Sequence, residues 1–156
     1  MLQEFVKEYM EINKDVPNIN FGGCGVFAEH LYDRLKLMGY KPRLVVLTYP
    51  RHVKMLRLRL RLSGQDFVRA YDAAIVHVLV KVDGYYLDNL GAVTSFEDTR
   101  YNRYAKFERL SIEKLREING LPIWNSSFNI RHIPKIIKRL DKIYEKFSSK
   151  GLEVSK

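Results

Sequence analysis

Three residues in one order point to nucleophilic chemistry: Cys24, the single cysteine of the chain, then His77, then Asp88. Cys24 stands in Phe21-Gly22-Gly23-Cys24-Gly25-Val26-Phe27, where a glycine turn runs into an amphipathic helix. A thiol at a helix N-terminus meets the positive end of the dipole and free backbone N–H groups, and both favour thiolate. A thiolate attacks carbonyl carbon, a histidine moves the protons, and a carboxylate holds the histidine in the right tautomer. This chemistry calls for an accessible Cys24. Asn18 lies six residues before it and Asn20 four, so a side-chain amide can join the Cys24 backbone N–H as an oxyanion hole. Gly22 and Gly23 leave the thiol uncrowded and let a substrate carbonyl approach the backbone, which makes them substrate-binding candidates.

The elements that must position these residues are legible from period and punctuation. Leu2, Phe5, Val6, Tyr9 and Ile12 recur at helical spacing, and Pro17 ends that helix. A second helix runs from Gly25 to about Met38, with Val26, Phe27, Leu31, Leu35 and Met38 inward and Gly39 as its stop. Arg43–Tyr49 reads as a strand closed by Pro50. Residues 53–62 alternate Leu56, Leu58, Leu60 and Leu62 with Met55, Arg57, Arg59 and Arg61, the pattern of a half-buried basic strand. Ala74–Val82 and Tyr85–Leu90 form a hairpin about Asp83-Gly84, a pair that tolerates positive φ at both central positions.

That turn sets a register: Val82 opposite Tyr85, Lys81 opposite Tyr86, Val80 opposite Leu87. His77 and Asp88 then share a sheet face as diagonal neighbours, roughly 5–8 Å apart at Cβ. Asn89 points the other way. Ser111–Asn119 is a capped short helix. Ile133, Ile136, Leu140, Ile143 and Phe147 mark a last amphipathic helix, frayed from about Ser148. Helices at both ends of a strand meander indicate α+β.

The order and setting resemble the papain-like superfamily of thiol enzymes, especially its transglutaminase-like branch. The likeness rests on Gly23-Cys24-Gly25 with the helix that follows, on Val76-His77-Val78 and on Tyr86-Leu87-Asp88, over about residues 18–91. It implies a Cys-bearing helix packed on a small antiparallel sheet. It also implies Cys24 as nucleophile, His77 as general base and acid, and Asp88 as orienter. Asn18 stands where papain-type members carry a glutamine, and Gly25 where an aromatic residue often follows the cysteine.

The 156 residues fit one domain. A single cysteine excludes an internal disulfide framework and suits a reducing compartment, so the expected location is cytoplasmic. No apolar run is long enough for a membrane span, and the N-terminus lacks a secretory pattern. Neither metal-ligand spacing nor a phosphate loop is present, so no metal or cofactor is expected. The net charge of +9 lies mostly outside residues 63–98, which carry six acidic against two basic side chains and hold His77 and Asp88. The reading is thus a hydrolase or acyl transferase on peptide or protein amide bonds, with Trp124, Phe128 and the Tyr101–Tyr104 region as a substrate wall. Two alternatives stay open. Cys24 can be an ordinary buried cysteine, and the basic segments can serve a non-catalytic module for nucleic acid or an acidic protein.

Overall fold

A computed structural model describes residues 2–12, 24–59, 75–88, 91–95, 102–108, 110–120, 131 and 133–153. The elements are α1 (Leu2–Ile12), α2 (Cys24–Leu37), β1 (Arg43–Thr48), a 3-10 turn (Pro50–His52) running into α3 (Val53–Arg59), β2 (His77–Val82), β3 (Tyr85–Asp88), β4 (Gly91–Val93), β5 (Ala105–Phe107), α4 (Ile112–Asn119) and α5 (Ile133–Glu153). The architecture is α+β. Its sheet has five strands in the order β4-β3-β2-β1-β5, every pair antiparallel.

Local chemistry sets the boundaries around the sheet. α2 ends in paired 6→1 and 5→2 bonds, Tyr40 N–H to Leu35 O and Gly39 N–H to Lys36 O, both 3.0 Å. Gly39 supplies the positive φ of 87° that this motif needs, and Leu35 and Tyr40 join the same apolar cluster beneath it. The β2–β3 hairpin turns on Asp83 (φ 44°) and Gly84 (φ 82°). Its pairing is the one expected from the turn: Val82 with Tyr85, Lys81 with Tyr86, Val80 with Leu87. Ser111 caps α4, its hydroxyl accepting from the Lys114 N–H at 3.2 Å.

One face of the sheet carries Leu44, Val46, Val78, Val80 and Leu87 into the main core. Phe27 and Leu31 of α2, Leu115 and Ile118 of α4, Ile136 and Leu140 of α5, and Phe5 of α1 complete that layer. Alternation sends Val45, Leu47, Leu79 and Tyr86 to the opposite face, where Tyr104 packs on them. Leu31 is fully buried between helices and sheet. Leu31→Ala is expected to lower the unfolding free energy by about 2–5 kcal/mol, read from urea denaturation.

Two expectations fail. Residues 53–59 are helical, not a strand. Beyond Val53 the segment holds Lys, Met, Leu and Arg, straight-chain helix formers with no β-branched residue, and Pro50 opens the preceding 3-10 turn. A helix repeats every 3.6 residues and not every two, so the expected period-two strand pattern does not apply to residues 53–59; residues 60–62 lie outside the described residues. The last helix also continues past Ser148 to Glu153. Phe147 meets the ring of Phe5 edge-on at 5.9 Å, and Lys146 pairs with Glu8, so α1 braces α5 near that end.

Candidate active site

Chain geometry brings Cys24 to the His77 end of the sheet. α2 has 14 residues, about 21 Å at the helical rise, and β1 has six, about 20 Å when extended. The Gly39 turn folds one back along the other, so the first residue of α2 comes level with the end of β1. There Leu47 is the partner of His77, the first residue of β2. Three contacts hold α2 in place. Arg34 donates to Asp141 on α5 at 2.7 Å, Arg116 on α4 to Asp33 at 2.7 Å, and Asn119 to Glu29 at 2.6 Å.

His77 Nε2 lies 3.0 Å from Asp88 Oδ2, and Cys24 is close enough to the ring to favour its charged form. All three residues are buried, with 5% of Cys24, 4% of His77 and 4% of Asp88 exposed. Burial alone would push the imidazole down. The hydrogen bond to Asp88 and then Cys24, with the charges of both, outweigh it and raise His77 to about 9. Such a ring is imidazolium at neutral pH, its Nε2–H donating to Asp88. The backbone N–H of Cys24, in the first turn of α2, has no intrahelical acceptor and can face an oxyanion.

The structure thus brings together Cys24, His77 and Asp88. It does not give the accessible thiol expected of a nucleophile at a turn: Cys24 is buried at the start of α2. Asn18, Gly22, Gly23 and Trp124 lie outside the described residues, as do Asn20, Asn89 and Phe128. His30 stands apart, its ring pushed down by burial among Glu29, Asp33, Arg34 and Asp141.

Sequence reasoning missed Tyr49 and Arg51. Tyr49 meets Tyr104 edge-on at 5.5 Å just beyond the β1 end that carries the site. The signal was present: Val45, Leu47 and Tyr49 share one parity. Their partner strand, β5, is only three residues long and gave none.

Among the described residues, no group of three or more His, Cys, Asp or Glu is placed to hold a metal ion, and no helix is long and apolar enough to cross a membrane. No family model matches the chain, and neither a curated protein nor a solved structure does.

Proposed function

We propose that this chain is a papain-like, transglutaminase-like thiol enzyme, a hydrolase or acyl transferase acting on peptide or side-chain amide bonds. The observation that carries the reading is the buried His77–Asp88 hydrogen bond of 3.0 Å with Cys24 close to the same ring. A satisfied core histidine needs only one partner. This one holds a carboxylate on one nitrogen and is charged the more readily for the nearby Cys24 at the start of a helix.

Cys24 Sγ, as thiolate, attacks the carbonyl carbon, and the C–S bond forms as the carbonyl electrons move to oxygen. The Cys24 N–H stabilises that oxyanion. His77 gives a ring proton to the leaving nitrogen as the C–N bond breaks, which leaves a thioester. Water or an amine then loses a proton to His77, attacks the thioester and expels the thiolate. Asp88 keeps the ring oriented and stabilises its charged form throughout.

The test is iodoacetamide alkylation of Cys24 followed by mass spectrometry. A thiol exposed to 5% reacts through local opening, so the absolute rate is low and its pH profile carries the information. The wild type is expected to keep reacting at about pH 6, where an ordinary thiol of pKa about 8.5 is almost wholly protonated. His77→Ala is expected to lose that low-pH reaction. Identical profiles in the two proteins would end the catalytic reading.

A further inference from the structure

The last residues of β1 and the first of β5 carry a cluster that the triad does not use. Tyr49 is 43% exposed, a large value for a tyrosine at the end of a buried strand. Its ring meets Tyr104 at 5.5 Å and His52 at 5.9 Å, both edge-on. The Arg51 guanidinium lies over the Tyr49 ring at 5.5 Å, and that of Arg103 over the Tyr104 ring at 5.0 Å. Both arginines are exposed, and neither has a carboxylate partner among the described residues. Arg34 and Arg116, by contrast, are each paired with an aspartate.

The cluster sits beside the candidate site. Leu47 pairs with His77 across the sheet, and Tyr49 lies two residues further on with the same parity. Thr48 pairs with Ala105, which brings Tyr104 to the same end. One strand spacing sideways and two residues along put Tyr49 about 8 Å from His77 at Cα. An extended peptide advances about 6.6 Å in two residues and returns its side chain to the same side.

We propose that Tyr49, Arg51, Arg103 and Tyr104 form the recognition surface for a peptide substrate with an acidic side chain two residues from the reacting carbonyl. The proposal rests on the thiol-enzyme reading and names its substrate class. A guanidinium stacked on a ring keeps its N–H edge outward, where it meets a carboxylate in bidentate fashion. Single-stranded nucleic acid is the competing ligand, since an exposed ring with arginines beside it also suits unpaired bases, and the experiment separates the two.

The experiment is protection of Cys24 from iodoacetamide by two matched peptides, acetyl-Glu-Ala-Gln-Ala-Glu-amide and acetyl-Gln-Ala-Gln-Ala-Gln-amide. The acidic peptide is expected to protect at about tenfold lower concentration, as exposed ion pairs allow. That ratio should fall toward one when salt is raised, and in the Arg51→Gln/Arg103→Gln variant. The salt series uses the unaltered protein, so it decides even if the variant misfolds. Equal protection by both peptides, alongside a thiol whose low-pH reaction needs His77, would overturn this inference and leave the enzyme reading standing. A tenfold ratio with alkylation indifferent to His77 would overturn the enzyme reading instead. Protection by oligo(dT) matching that of the acidic peptide would replace this substrate class with single-stranded nucleic acid.

Discussion

His77→Ala is expected to slow the acylation of Cys24 by p-nitrophenyl acetate by about 10²- to 10⁴-fold, the usual worth of a positioned proton-transfer group. The small ester is the right probe because Cys24 is only 5% exposed. The release of one p-nitrophenolate per chain counts acylated thiol. Asp88→Asn is expected to slow the burst as well, because the carboxylate at 3.0 Å supports the charged ring that stands beside sulfur. The two effects should not multiply. Asp88 reaches the thiol only through His77, so the double variant should be little slower than His77→Ala alone. Alanine leaves the buried Asp88 carboxylate without its ring, so His77→Gln serves as a second variant whose folding is checked by circular dichroism. Multiplicative losses would mean that Asp88 supports the fold and not the ring.

Stability should fall as pH rises from about 6.5 to 9.5, and His77 should account for the fall. Burial disfavours its charged form, but Asp88 and Cys24 together raise it to about 9, above the ordinary histidine value of about 6.5. A group whose folded value is raised contributes stability that is fully present below its unfolded value. That contribution is lost as pH climbs through the folded value. Here it is complete below pH 6.5 and gone above about 9, and the interval corresponds to about 3 kcal/mol at most. The measurement is urea unfolding at pH 6, 7.5 and 9.5 for the wild type and His77→Gln, the difference between the two isolating the histidine. Cys24→Ala removes one of the two partners that favour the charged ring, so its fall should be smaller and centred lower. Asp88→Asn removes the largest of the influences that raise the ring and should also shrink the fall. A wild-type difference that stays flat across this interval would show that His77 is not held as the buried hydrogen bond implies.

What could be read without the fold is what short-range forces decide. The Asp83-Gly84 turn admits one register, and that register brings the Asp88 carboxylate within hydrogen-bonding distance of His77. Gly39 stops α2 and Ser111 starts α4, because a left-handed φ and a hydroxyl cap act within three residues.

The segment 53–59 shows the limit. Its leucine–arginine alternation fits a strand and its straight-chain composition fits a helix, and only the surroundings select between them. A Pro50 turn at its start and Met55 packed against the main core accompany the helix. The burial of Cys24 and the meeting of Tyr49 with Tyr104 were likewise beyond local reading. The first depends on how α2 lies against the sheet and the second on β5 joining the edge of β1. The residues named by the sequence were the triad, because thiol, imidazole and carboxylate announce their chemistry by type and order. Their enclosure and their neighbours came from long-range packing, which contacts distant in the chain decide together and no short window contains.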